Sequence, residues 1–214
     1  MALEINEKRA RIFRVTHIDN VRWILANGLH AQNSPMSDPK FERIGNQDLI
    51  VKRGARAVPV APGGILPDYV PFYFTPHSMM LLNIRTGYSG VKQIANEDLV
   101  FCVSSIHALQ KKGRAFVFSD RHAYLKTARF FNSVDDLGEI DWAVLQARDF
   151  KRDPDNPEKT DRYQAEALVH ETLAAEDISG IVCYDENIKG TLDVMIAKMG
   201  LTTKTAARPT WYFR

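Results

Sequence analysis

Short apolar runs alternate with polar stretches of uneven length along this chain, and most of the runs have the length of strands. In RIFRVT (11–16), Ile12, Phe13 and Val15 alternate with Arg14 and Thr16, which predicts a strand. Asp19 or Asn20 is placed to cap a following helix with Val21, Ile24 and Leu25 on its apolar face, and Gly28 is placed to stop it. VPFYF (70–74) reads as a buried strand, and SMMLLNI (78–84) as either a helix or a further apolar layer. DLVFCVSS (98–105) is a buried strand leading into a turn of amphipathic helix in IHALQKKG. AFVFSD (115–120) predicts another strand, RHAYLKTARFF (121–131) a helix, and 141–150 a short helix. ISGIVCYD (178–185) predicts a strand, NIKGTLDVMIAKMG a helix ending at Gly200, and RPTWYFR (208–214) a terminal strand. Strands and helices in this irregular order, without an internal repeat, indicate α+β architecture rather than a doubly wound sheet.

Two polar stretches interrupt the pattern. Residues 31–67 are rich in Asn, Ser, Pro, Gly and Arg and end in VPVAPGGILP; a connection of that length in a compact domain is usually functional or disordered. The second, KRDPDNPEKTDR, precedes YQAEALVH (163–170), where Glu166 stands alone among small and apolar residues. Propensity favours a helix through AEALVHETLAAE. As a strand, the segment would put Gln164, Glu166 and Leu168 on one face and Ala165, Ala167 and Val169 on the other. Local preference does not choose between the two.

Composition narrows the class. The chain has 214 residues, 45% of them hydrophobic and 25% charged, which suits one soluble domain spanning 1–214. No apolar run is long enough for a membrane span, and the start does not read as a secretion signal. Cys102 and Cys183 are isolated, which predicts buried thiols in a reducing, cytoplasmic setting and no metal site. A net charge of +2 says little about nucleic acid, but its distribution is uneven. Lys111, Lys112, Arg114, Arg121, Lys126 and Arg129 crowd one stretch against Asp120 alone, and Asp135, Asp136, Glu139 and Asp141 follow. Such a stretch can form a phosphate-binding surface, or simply a solvated helix face.

Familiar catalytic motifs are missing: there is no Walker loop, GxGxxG, GxSxG or HExxH, and Ser104, Ser105 and Cys102 have no base nearby in sequence. Arg14, Arg53, Tyr73 and Glu166 remain as polar groups in or beside apolar segments. An arginine in an edge strand ordinarily faces water, and a glutamate in such a sequence ordinarily sits on a helix surface. Read residue by residue, the chain is an α+β domain with a candidate site near these four.

Five segments occur together in one order: FRVTHIDNVRWIL, KRGAR before VPVAPGG, DYVPFYFTPHSMML, FVFSDRHAYLKTARFF and RYQAEALVH. In this combination the chain resembles, from about residue 11 onward, the DarT family of DNA-targeting ADP-ribosyltransferase toxins, which are paired with the macrodomain antitoxin DarG. The resemblance implies an ADP-ribosyltransferase fold with a split, mostly antiparallel sheet, flanking helices, and NAD in the cleft between the halves. It makes the QxE segment a strand, against its helix propensity.

By the same resemblance, Glu166 is the catalytic glutamate: a fixed carboxylate that holds a ribose hydroxyl and stabilises the positive charge developing as the nicotinamide bond breaks. Arg53 is the second catalytic residue, placed to neutralise the NAD phosphate or to help a nitrogen of the acceptor base lose its proton. Arg14, Val15 and Thr16 form the first-strand NAD position, with Arg14 where histidine is commonest. Trp23 lies near the cofactor, where a small residue is more usual, and Tyr73 against the nicotinamide. Residues of about 34–56 fold over NAD, and about 121–166 form the substrate-recognition region. Gln164 holds the acceptor base, and Arg121, His122, Lys126 and Arg129 hold DNA. The implied reaction moves ADP-ribose from NAD to thymine or guanine in single-stranded DNA, without a metal, and a separate DarG-like chain neutralises it. Two other readings stand beside this one. The first is a transferase acting on protein or RNA, or an NAD glycohydrolase. The second is a non-catalytic nucleic-acid-binding module, which leaves the embedded Glu166 and Arg53 without a purpose.

Overall fold

Strand β1 (Arg11–His17) pairs along its whole length with β4 (Leu99–Ser105), and a computed structural model describes the chain from residue 3 to 214. Between them in sequence come α1 (Val21–Asn27), β2 (Leu29–His30), α2 (Gln47–Arg53), β3 (Tyr69–Tyr73) and α3 (Met79–Thr86). Then follow α4 (Ile106–Lys111), β5 (Phe116–Ser119), β6 (Phe130–Phe131), α5 (Trp142–Ala147) and α6 (Lys159–Arg162). The chain finishes with β7 (Glu166–His170), β8 (Thr172–Leu173), β9 (Gly180–Cys183), α7 (Glu186–Lys198) and β10 (Thr205–Ala207).

The main sheet runs β10-β9-β4-β1-β3-β7-β5-β6, and only the β10–β9 pair is parallel. It is split at its middle. β3 and β7 pair at every position from Tyr69–His170 to Tyr73–Glu166, whereas β1 and β3 share the single pair Phe13–Tyr73. Beyond that point the two halves part. Arg14 bridges the parting by donating from Nη1 to the Pro71 carbonyl at 2.9 Å.

Apolar side chains cover both faces of the sheet, so β4 is buried at six successive positions and reads as a continuous apolar run. Ile12, Val100 and Cys102 belong to one core, with Val70, Phe72, Ala167 and Val169 from the other half. Phe13, Val15, Phe101 and Val103 belong to a second, against Leu81, Ile84, Trp211 and Tyr212. This alternation follows from the two-residue period of a strand. Both cysteines are free and buried, as their isolation in sequence predicts, and burial pushes Cys102 up to about 12 and Cys183 to about 11.

Several local expectations hold. Gly28 ends α1 at φ 88°, and a Cβ there would lie 2.6 Å from the Leu173 carbonyl oxygen, so the position requires glycine. The apolar run at 78–84 is a helix, with the Ser78 hydroxyl accepting from the Leu81 N–H at 3.2 Å. YQAEALVH enters a strand: β7 sits between β3 and β5, and the ladder on both sides overrides the helix propensity.

Other expectations fail. Residues 121–131 are turns followed by β6, not a helix. The buried Asp120 carboxylate accepts from the Arg129 backbone N–H at 3.0 Å and its side-chain Nε at 3.1 Å, closing the segment into a loop. The terminal strand is absent from 208–214. Pro209 begins a single 3-10 turn there, and the strand that joins the sheet is the preceding Thr205–Ala207. The polar stretch 31–67 contains the helix α2 and an isolated antiparallel bridge between Ala57 and Ile65, so it is more structured than its composition suggests.

Phe118 is fully buried between Phe74, whose ring centroid is 6.2 Å away, and Phe131, stacked at 5.4 Å. Truncation of Phe118 to alanine is expected to cost about 3–5 kcal/mol of stability, read as a lower urea midpoint with an unchanged slope.

Candidate active site

The parting of the sheet opens a cavity of about 310 Å³ lined by β1, β3, α2 and the entrance to β7. Arg14, Val15, Thr16, Trp23, Arg53, Tyr73, His122, Gln164 and Glu166 all face it, although they are spread over more than 150 positions of sequence.

Glu166 is the first residue of β7 and is 1% exposed. Its carboxylate meets Arg53 in a two-pronged pair, Nη1 to Oε1 at 2.9 Å and Nη2 to Oε2 at 2.7 Å. Oε1 also accepts from the Ala123 backbone N–H at 2.9 Å and lies 3.0 Å from His122 Nδ1. Nδ1 is also 3.3 Å from the Tyr124 N–H, which would need the nitrogen unprotonated. The carboxylate contact is shorter and charged, so we assign the proton to Nδ1. Burial works against ionisation of Glu166, but the Arg53 charge and the hydrogen bonds from His122 and Arg53 outweigh it and hold the carboxyl far below its ordinary range. Burial likewise opposes the Arg53 charge, and Glu166 overcomes it. Tyr73 is pushed upward, by burial first and by the Glu166 charge second, so its phenol stays neutral.

The segment over the cleft is fixed at several points. Asn20 is buried; its amide donates to Thr16 Oγ1 and to the Glu42 carbonyl, both at 2.9 Å, and its Oδ1 accepts from the Glu42 N–H at 2.8 Å. Asn46 caps α2 by accepting from the Leu49 N–H at 2.9 Å. No residue of α2 is buried, and Val51 is 78% exposed, so the helix holds its place largely through these caps and the Arg53–Glu166 pair. Arg56, in the same basic cluster as Arg53, donates to the carbonyls of Ala123 at 3.3 Å and Leu125 at 2.9 Å, tying the cover to the loop that touches Glu166. Arg14 loses some of its affinity for a proton by burial, and its Nε is buried without a partner; such a donor beside a cavity suits an anionic or carbonyl-bearing ligand.

Three residues expected at the site sit outside this cavity. Arg121 is taken up by Asp120 at 3.4 Å and Glu158 at 3.2 Å, and Arg129 by Asp120 and, at 2.7 Å, Glu139. Lys126 is exposed and forms no ion pair among the described residues. Lys112 and Arg114 both pair with the buried Asp177, so four cations of the basic stretch gather on two buried acids, Asp120 and Asp177, instead of forming one surface. Gln164 lies in the turn before β7, not on the strand, and donates to the Thr160 carbonyl at 3.1 Å. Arg56, Asp120 and the Ala123 N–H were missed by sequence reasoning; the adjacency of Asp120, Arg121 and His122 was the one available signal. No group of three or more His, Cys, Asp or Glu among the described residues is placed to hold a metal ion, and no helix among them is long and apolar enough to cross a membrane.

A split antiparallel sheet whose cleft holds an ionised glutamate at a strand entrance defines the class of NAD-consuming ADP-ribosyltransferases, and the comparisons with known proteins agree. A family model described as "ssDNA thymidine ADP-ribosyltransferase, DarT" matches residues 13–213. The chain belongs to the DarT family and is an NAD-dependent DNA ADP-ribosyltransferase. A DNA ADP-ribosyl transferase of Escherichia coli O127:H6 is 45% identical over 209 residues, 98% of this chain and 96% of the relative. The structure of Thermus sp. 2.9 DarT in complex with ADP-ribosylated ssDNA superposes with a TM-score of 0.89 at 33% identity, covering 100% of both chains. The NAD+ complex of the same Thermus protein gives a TM-score of 0.84 at 33% identity, over 96% of this chain and 98% of that one.

The position of Glu166 has a pH consequence. A carboxyl held below its unfolded value contributes stability that is present above the ordinary carboxylate range and is lost as pH falls through the folded value. The stability difference between wild type and Glu166→Gln is therefore expected to shift against wild type as pH drops below about 4. Urea unfolding of both proteins across that range measures it; parallel pH curves would show that Glu166 is not held ionised by folding.

Proposed function

We propose that this protein transfers ADP-ribose from NAD to thymine in single-stranded DNA, with Glu166 and Arg53 as its catalytic pair. Membership of a family described by thymidine supports the choice of base over guanine. The observation that carries the residue roles is the lopsided coordination of Glu166: Oε1 has three partners, whereas Oε2 has only Arg53. A lone pair of Oε2 is left for a ribose hydroxyl, which is where a carboxylate stabilises charge developing at the neighbouring carbon. Arg14, Val15, Thr16, Trp23 and Tyr73 line the NAD part of the cleft, and residues of about 34–56 cover it.

Gln164 and the region of about 121–166 receive the DNA. A base offered from a single strand avoids the unstacking that a duplex base would require. Of the basic residues expected at phosphates, Lys126 is the one without an acidic neighbour within ion-pair distance among the described residues, so it is the phosphate contact of this loop. Arg121 and Arg129 act instead by holding the loop on Asp120. In this reading the protein is a cytoplasmic toxin, neutralised by a separate macrodomain chain, as family membership suggests.

Incubation with NAD and a mixed set of single-stranded oligonucleotides, read by mass spectrometry, tests the reaction. Wild type is expected to add one ADP-ribose to thymine-containing strands. Glu166→Ala is expected to add none while still binding NAD, and modification of strands lacking thymine would refute the choice of base. Lys126→Ala is expected to weaken binding of all single strands alike and to reduce the salt slope by about 0.7, the share of one phosphate. Arg121→Ala should instead lower stability. Titrations at several salt concentrations separate the two.

A further inference from the structure

An acceptor base that enters the cleft leaves the stack of its own strand. The adjoining base then loses the partner on one of its faces. That apolar face is left to water unless the protein covers it, and an aromatic side chain at the mouth of the cleft is suited to do so, since every base has a π-face to offer.

Most aromatic rings of this protein are taken up in its interior. Among the described residues, Tyr88 and Tyr124 are the two aromatic side chains left exposed, at 67% and 37%. Tyr88 follows the C-terminal end of α3, past Met79, Met80 and Asn83, the residues of that helix that line the cavity. Tyr124 lies in the loop after β5. Its ring centroid is 6.4 Å from that of His122, which lines the cavity beside Glu166.

The backbone of Tyr124 is held on both sides, and its ring is left free. The Leu125 N–H donates to the His122 carbonyl at 3.0 Å, which makes Ala123 and Tyr124 the two central residues of a tight turn. The His122 N–H donates to the Asp161 carbonyl at 3.1 Å, and the Ala123 N–H to Glu166 Oε1 at 2.9 Å. Arg56 donates to the carbonyls of Ala123 and Leu125. The side chains of Ala123 and Leu125 pack into one apolar cluster with Tyr69 and Leu168, so the residue between them is the one turned to solvent. A ring on a backbone that is already fixed gives up little freedom when a ligand stacks on it. Lys126, two residues further on, is exposed.

We propose that Tyr124 is a stacking platform for the nucleotide next to the acceptor, its ring against that base while Lys126 meets the adjoining phosphate. Aromatic rings set beside basic side chains are a general means of holding a single strand. Stacking of this kind does not read the identity of the neighbouring base. It secures the strand at the point where the acceptor turns into the cleft. The inference rests on the reading that the region of about 121–166 receives the DNA, and it is independent of which base is the acceptor.

The test combines truncation of the side chain with removal of one base. Three strands are compared: one that wild type modifies at a single base, and the same strand with an abasic site on either the 5′ or the 3′ side of that base. Wild type is expected to lose about 10-fold in kcat/KM for the strand when the base covered by Tyr124 is missing. Tyr124→Ala should lose about as much on the intact strand, through a higher KM for DNA, and nothing further on that one abasic strand. Its KM for NAD should be unchanged. Tyr124→Phe keeps the ring and should restore what alanine loses, and Tyr124→Leu is a second ringless variant should alanine fold poorly. Losses that multiply on both abasic strands would overturn the proposal and leave Tyr124 as a residue that shapes the turn. A full rate in Tyr124→Ala would also overturn it, as would a wild type indifferent to both abasic sites. If wild type modifies no strand at all, the DNA reading fails first, visible before any variant is made, and this proposal falls with it.

Discussion

The carboxylate of Glu166, almost fully buried at the entrance of β7, requires donors, and it obtains them from two segments: Arg53 on α2, and the His122 ring with the Ala123 N–H in the loop after β5. An unpaired charge at such depth would be strongly unfavourable, and breaking a buried pair by removing one partner typically costs about 3–5 kcal/mol. The same bonds therefore serve two ends. They keep the carboxylate ionised, and they fix the position of two segments that the core hardly holds. α2 places no residue in the apolar core, and the loop after β5 has no regular structure, yet both converge on one carboxyl. Arg56 joins them directly through the carbonyls of Ala123 and Leu125.

The cleft exists because the two halves of the sheet touch at one residue pair. The Phe13–Tyr73 pair holds them together, and Pro71, which has no N–H to offer a neighbouring strand, occupies the β3 position where the ladder with β1 stops. The Pro71 carbonyl is taken by Arg14 instead. An arginine in the first strand thus closes the backbone gap with one nitrogen and leaves another, Nε, unpartnered beside the cavity. Both half-sheets are covered by apolar layers, whereas α2 and the loop after β5 are tethered by polar bonds.

Charge organises the loop that follows β5. Asp120 is buried and collects Arg121 and Arg129 along with the Arg129 backbone N–H, so the local excess of basic residues is largely spent on shaping the loop. Lys112 and Arg114 do the same for Asp177. A count of charges along the sequence overstates what is left for a phosphate backbone, because it cannot register which acids lie nearby in space.

The sequence by itself determined the strands β1, β3, β4, β5 and β9 within a residue or two, the helices α1, α5 and α7, the α+β class and two inert buried thiols. These depend on period, caps and apolar runs, which are local. The order of motifs also pointed to the family to which the chain belongs and, through that resemblance, singled out Glu166 and Arg53, which the structure brings into contact. Only the tertiary structure decided what local rules left open or misread. A ladder on each side turned a helix-forming segment into β7, and a buried Asp120 turned an apparent helix at 121–131 into a loop. Pro209 displaced the last strand to 205–207. Above all, the tertiary structure placed His122 against Glu166, 44 residues away along the chain, since a contact of that range is set by how β5 and β7 align and carries no local signature.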